Sequence, residues 1–303
     1  YVYSRIEEDT ESSGEAKKAI MQVKALNENG VDTKLMYHNR YIYGNKILVR
    51  LPFYRIYSRR FVTFLLKELK NIDAVYIRKY IIDRSFLYLL ERIRKEKKHI
   101  KIILEIPTYP YDLEWKSLID SPLLRKDMKN RKKIKGYIDR IVTFSNDDII
   151  FSVPTIKTSN GIDVNTIKCR KSNCHCNKKI HLLGVATLER WHGYDRVIKG
   201  LEKYYSKKYE YEILFHIVGD GAELENLKKI CRSCNMQKYV FFHGRMNGEK
   251  LDEMFDKCDI GVGSLGMHRI GLKEGYTLKL REYMARGIPF IYGYADRLIE
   301  NCG

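Results

Sequence analysis

Residues Glu212-Ile213-Leu214-Phe215-His216-Ile217-Val218 run into Gly219-Asp220-Gly221 and then into Glu223-Leu224-Glu225-Asn226-Leu227. The apolar run reads as a buried strand, the glycines as a tight turn, and the remainder as an amphipathic helix. The same order continues on either side. Lys179–Val185 reads as a strand followed by a helix at Tyr194–Tyr205. Tyr239–Phe242 precedes a helix at Gly248–Lys257, and Ile260–Val262 precedes one at Leu278–Arg286. Pro289–Tyr292 is a further strand. Strand and helix alternating at this spacing imply a parallel sheet with right-handed crossovers.

The first half alternates in the same way. Strands are expected at Tyr1–Tyr3, Thr33–Tyr37, Ala74–Ile77, Lys101–Ile106, Ile138–Phe144 and Thr155–Ser159. Helical spacing covers Gly14–Asn29, with Gly30 as its stop, and Asp83–Lys95; Arg60–Leu69 is amphipathic. The polar, basic stretch Lys168–Lys179 interrupts both patterns, so the predicted domains are 1–168 and 169–303. The expected architecture is α/β, with two Rossmann-like domains and a cleft between them.

Composition narrows the class. The chain has 303 residues, 44% hydrophobic and 31% charged, which excludes a disordered chain. No apolar run approaches a membrane span, and no signal peptide is read at Tyr1. Seven cysteines, an odd number, fit a reducing cytoplasm rather than a disulfide scaffold. Net charge is +18 and is uneven. Arg40 to Arg140 holds 26 basic against 11 acidic residues, whereas Leu251 to Gly303 holds 7 against 8. Such a first half would attract phosphate-rich partners: nucleic acid, an anionic membrane or a phosphorylated substrate. A lysine-rich surface of no special purpose is the plainer alternative.

The strongest local signal is Glu274-Gly275-Tyr276-Thr277-Leu278-Lys279-Leu280-Arg281-Glu282, closed by Gly287 and Pro289. Glu274 falls on a loop before a helix and Glu282 about one turn inside it, with Thr277 as the expected N-cap. Free N–H groups at such a helix start favour a bound phosphate, and the carboxylates could accept hydrogen bonds from sugar or ribose hydroxyls. Two solvated glutamates on a surface helix is the alternative. Gly219 and Gly221 mark the turn after one strand, and Gly244-Arg245-Met246 another strand end where a flat base could lie. The full dinucleotide fingerprint is absent, so NAD binding is not read. Arg190 and His192, on a loop after a strand, could meet a diphosphate; a surface ion pair is the other reading of Arg190.

These pieces resemble the retaining glycosyltransferases of the GT-B fold, most closely family 4, also called group 1. Ser159-Asn160-Gly161-Ile162-Asp163 is similar to that family's element near the domain junction, and Glu274 to Glu282 to its E-x7-E motif. Ser13-Gly14 and the following helix are similar to its N-terminal loop and first helix. The resemblance implies that Glu274 contacts the donor sugar and acts as the catalytic residue, and that Glu282 holds the ribose. It implies that the backbone of Gly275, Tyr276, Thr277 and Leu278 cradles diphosphate and sugar. Gly244–Met246 would receive the base. No cofactor and no metal are implied, only a nucleotide diphosphate sugar as donor.

The chain departs from the family in three places. The family's Arg-x4-Lys-Gly loop has Thr187 and His192-Gly193 here. Its histidine after the strand at Ala74–Ile77 is Arg78 here. The chain also ends soon after Pro289–Tyr292, where the family continues; with no initial Met, a longer gene product is expected. On the acceptor side the expected residues are Gly14, Arg78, Glu105 and Tyr109, although Glu105–Tyr111 could instead be a turn packing its own tyrosines.

Cys169, Cys174, His175 and Cys176, with Cys231 and Cys234, do not have a usual zinc spacing, so no metal site is expected. Lys126–Lys135 reads as a solvated helix face. With Arg55, Arg59, Arg60 and the apolar Phe61–Leu66 it could form a peripheral contact with an anionic membrane. The expected function is transfer of a sugar to a glycan or lipid-linked acceptor in polysaccharide synthesis, in the cytoplasm or at the inner membrane face. A basic nucleic-acid-binding protein, a sugar-nucleotide epimerase and a non-catalytic subunit are the alternatives.

Overall fold

The computed structural model describes residues 2–3, 14–37, 50–51, 53–114, 121–171 and 178–300. The chain divides into two compact units, Tyr1–Ser159 and Asn160–Gly303. The boundary thus falls before the basic stretch at 168/169 where the sequence places it. The reason is local: Asn160 Nδ2 donates to the carbonyl of Tyr276, and the Lys168 carbonyl accepts from Arg286 Nη1 at 3.4 Å. Arg170 adds N–H to Arg286 O at 2.9 Å and Nη1 to Cys258 O at 3.0 Å.

The first unit contains β1 (Val2–Tyr3), α1 (Gly14–Glu28), β2 (Met36–Tyr37), α2 (Arg59–Glu68), β3 (Ala74–Arg78) and α3 (Arg84–Glu96). These are followed by β4 (Lys101–Ile106), α4 (Ser121–Asn130), β5 (Arg140–Thr143), β6 (Ile149–Ile150) and β7 (Val153–Lys157). Among the described residues the sheet runs β2-β1-β3-β4-β5-β7-β6, parallel except at β6. Its central strands are buried, so they read as apolar runs. Side-chain caps start two helices: Ser58 Oγ accepts from Phe61 N–H at 3.2 Å, and Asp83 Oδ1 from Phe86 N–H at 2.8 Å.

Two expectations are corrected here. Lys126–Lys135 is not a uniformly solvated face: Asp127, Asn130 and Ile134 are buried. Asp127 accepts from Tyr111 Oη at 2.6 Å and from Ile82 N–H at 2.9 Å, while Arg131 pairs with Asp112. These polar groups go inside because each finds a partner there. Likewise Phe61, Val62, Leu65 and Leu66 of α2 lie in the core. Of the apolar residues in that run only Phe64 is left half-exposed, among Arg59, Arg60 and Lys67. No helix of the described residues is long and apolar enough to cross a membrane.

The second unit contains β8 (Lys179–Val185), α5 (Tyr194–Tyr205), β9 (Glu212–Val218), α6 (Leu224–Ser233), β10 (Val240–Phe242) and α7 (Gly248–Lys257). Then come β11 (Ile260–Val262), α8 (Leu278–Arg286), β12 (Phe290–Ile291) and α9 (Arg297–Glu300). The sheet is fully parallel in the order β10-β9-β8-β11-β12. That is the Rossmann-like order, with its switch point between β8 and β11. Leu183, Ile198, Phe215, Ile217 and Leu227 are fully or almost fully buried in its core.

A polar row crosses this sheet. His181 Nδ1 lies 2.9 Å from His216 Nε2, and His216 Nδ1 lies 2.9 Å from His243 Nε2. His216 is buried, and burial pushes its pKa down to about 3. The central ring, His216, is therefore a neutral donor–acceptor link rather than a charge.

Candidate functional site

In a parallel sheet all strands end at one edge, and ligands bind beyond that edge. In the second unit this edge carries the loops after β8, β9, β10 and β11. Glycine lets them approach one another. A Cβ on Gly219, whose φ is +135°, would stand 1.8 Å from the carbonyl oxygen of Ala186. A Cβ on Gly221 would stand 2.4 Å from Leu188 O. Gly219 N–H donates to Gly244 O at 2.7 Å, which ties the loops after β9 and β10. The structure thus brings Gly219, Gly221 and Gly244 together. Arg245 lies beside them, 3.9 Å from Asp220 and exposed, with Met246 following.

The loop after β8 interlocks with the loop after β11. Arg190 Nη2 donates to Arg269 O at 3.1 Å, and Arg269 Nη1 donates back to Arg190 O at 2.8 Å. Arg269 also grips Asp195 with two bonds of 2.8 and 2.9 Å. Arg190 is therefore engaged with its neighbour loop. His192 Nδ1 accepts from Glu189 N–H at 3.1 Å, so the ring proton sits on Nε2. Burial, with the nearby Lys279 charge, holds His192 well below the usual imidazole range and keeps it neutral.

Glu274 precedes α8 and forms an isolated parallel bridge with Ala295. Its Oε1 accepts from Arg297 Nη2 at 2.8 Å. That pair is half-exposed, so a competing hydroxyl could displace it at a cost of about 1 kcal/mol or less. Glu282 Oε1 instead accepts from Arg286 Nε at 3.0 Å, and Arg286 Nη1 reaches Asp252 at 2.7 Å. Each glutamate thus has its own arginine.

Thr277 occupies the N-cap position with extended angles (φ −79°, ψ 139°) but makes no side-chain cap. Its Oγ1 pairs with Tyr294 Oη at 2.7 Å, which corrects the expected capping role. Gly275 packs against Met267 and Tyr294, and Leu278 opens the helix. The first turn of α8 carries no acid, so its N–H groups face neither a side-chain cap nor a carboxylate on that turn.

On the first unit, Gly14 begins α1, and Arg78 and Glu105 are register partners on β3 and β4. Glu105, 1% exposed, accepts from Arg78 Nη1 and from Lys18 Nζ, both at 2.8 Å. Tyr109 departs from this group; its ring packs edge-on to Tyr111 and Phe151. The structure thus joins two of the four expected acceptor residues and adds Lys18.

Sequence reasoning missed Lys18, Arg297, Arg269 and Lys279. Only Lys279 carried a signal: a lysine in the first helical turn, where acids are favoured. Among the described residues no three His, Cys, Asp or Glu side chains converge as metal ligands; Cys174, His175 and Cys176 lie outside them.

Two Rossmann-like α/β domains define the GT-B architecture. Residues 166–296 match the family described as glycosyl transferases group 1. Sucrose-phosphate synthase from Thermosynechococcus elongatus superposes with a TM-score of 0.62 at 12% identity, over 92% of this chain and 75% of that one. The lipopolysaccharide outer core galactosyltransferase WaaB gives 0.56 at 16% identity, over 98% and 81%. Anabaena HepE, in complex with UDP and glucose, gives 0.51 at 14%, over 95% and 72%. No curated protein sequence matches the chain.

Proposed function

We propose that the chain is a retaining glycosyltransferase that moves a sugar from a nucleotide diphosphate sugar to a hydroxyl of a glycan or lipid-linked precursor. The observation that carries this reading is the open first turn of α8 behind Glu274, at the edge where the glycine loops meet. The match to group 1 glycosyl transferases over residues 166–296 supports it, as does the UDP and glucose in the similar Anabaena structure.

In this reading the N–H groups of α8 and the Nε2–H of His192 hold the diphosphate. Such fixed donors stabilise the charge that grows on the leaving group. Glu274 exchanges Arg297 for hydroxyls of the donor sugar, and Glu282 takes the ribose. The backbone at Gly244–Met246 receives the base. The acceptor hydroxyl attacks on the face the diphosphate leaves, without a protein nucleophile, and side-chain cations rather than a divalent metal neutralise the charge. A cytoplasmic enzyme drawn to anionic membrane by Arg59, Arg60 and Lys67 around Phe64 would meet such an acceptor.

A thermal-shift series with UDP, GDP, ADP, CMP and their sugars, with and without EDTA, tests the donor site. One selective upward shift that survives EDTA is expected. No shift, with salt-sensitive binding to DNA or RNA instead, would overturn the reading. Glu274→Ala should abolish transfer with its melting temperature unchanged.

A further inference from the structure

Lys279 is the second residue of α8 and stands against the local field. A helix start favours anions, and its N–H groups repel a cation. The first turn of α8 carries no acid to offset it. Among the described residues no carboxylate pairs with its ammonium. The ammonium donates to Tyr194 Oη at 3.2 Å and lies 5.3 Å from the centre of that ring. Tyr194 is itself 1% exposed. One neutral acceptor and a ring face do not replace the hydration that an ammonium loses on burial. Burial accordingly pushes the pKa of Lys279 down to about 7.

Two further donors lie near Lys279. The His192 ring lies 5.8 Å from the Tyr194 ring, and its Nε2 carries the proton. The charge of Lys279 acts on His192 directly, as one cause of that imidazole's low pKa. Thr277 leaves the helix start without a side-chain cap, because its hydroxyl is turned to Tyr294. A half-buried cation without a carboxylate partner, a neutral N–H and an open helix start are all donors, and all lack an anion. Meanwhile the loop after β8 carries Thr187 and His192 and has no lysine of its own.

We propose that Lys279 is the cation that receives the diphosphate of the donor, with His192 Nε2–H and the first turn of α8 as its partners. This assignment rests on the donor-site reading above. The diphosphate supplies the counter-charge that the fold withholds. Binding therefore returns Lys279 to its charged form, and above neutral pH the complex takes up a proton.

The test is calorimetric titration of the full chain with UDP, GDP, ADP and CDP. Lys279→Met should weaken the nucleoside diphosphate that binds by about tenfold or more, the scale of a charge-assisted hydrogen bond, while leaving the matching nucleoside unchanged. At pH 8, two buffers of different ionisation enthalpy should report proton uptake by the unmodified chain and none by Lys279→Arg. Binding by Lys279→Met within twofold of the unmodified chain would overturn the assignment and leave the donor site standing. Absence of uptake in the unmodified chain would do the same without any variant. If no nucleoside diphosphate binds the unmodified chain, the donor-site reading itself falls.

Discussion

Lys279→Met should stabilise the free protein at neutral pH. The folded chain holds this lysine near pKa 7, against 10.5 for a free side chain. At about 1.4 kcal/mol per unit, that depression corresponds to at most about 5 kcal/mol of lost stability when the lysine is charged. Residual exposure screens the effect, and methionine forfeits the Tyr194 contact, so a net gain of about 2 kcal/mol is expected. The sign follows from proton binding. Between pH 7 and 10.5 the unfolded chain holds the proton and the folded chain has shed it, so stability climbs as pH rises through that window. Below pH 7 both states are protonated and the full penalty applies. Urea unfolding followed by circular dichroism at pH 6.5, 7.5, 8.5 and 9.5 reads both quantities. The variant should lead most at pH 6.5, and the gap should close by pH 9.5. A variant less stable at pH 6.5, or a gap independent of pH, would refute the argument that the ammonium loses hydration without compensation.

Two further substitutions test the frame around the sites. Gly219→Ala drives a Cβ to 1.8 Å from Ala186 O at a φ of +135°; a lowered urea midpoint, by about 3 kcal/mol or more, is expected, and an unchanged one would contradict the close approach of the two loops. Glu105→Gln removes the negative charge that Lys18 and Arg78 share at 2.8 Å. A loss of about 3 kcal/mol in thermal unfolding is expected, and a neutral effect would mean that the pair of cations is held by other means.

The sequence was most legible where structure is locally determined. Lys179–Val185, Glu212–Val218, Tyr194–Tyr205 and Leu278–Arg286 appear with the bounds their patterns predict. Buried parallel strands and one-sided helices carry their period in the residues themselves. The stretch Ser121–Asn130 was not legible as a packed helix, because dense charge hides Leu123, Asp127 and Asn130. Its burial depends on Tyr111 and the backbone of Ile82, which no local window contains. The candidate site divides in the same way. Glu274, Glu282 and the glycines stand in recognisable spacing, while the partners that set their chemistry arrive from afar. Arg297 reaches Glu274, Lys18 reaches Glu105, and Tyr194 receives Lys279. Thr277 was placed correctly at the helix start, but Tyr294 claims its hydroxyl.

The histidine row across β8, β9 and the end of β10 has a property that no single ring possesses. Each link needs an N–H on one side and a lone pair on the other, so choosing the direction of one link dictates the other. Because His216 is neutral, the two links share two permitted directions rather than four. The sheet carries a polarity at right angles to its strands, written in hydrogens rather than in backbone. Whatever fixes the tautomer of His181 at one end thereby decides which nitrogen of His243 is a donor at the other, beside Gly244.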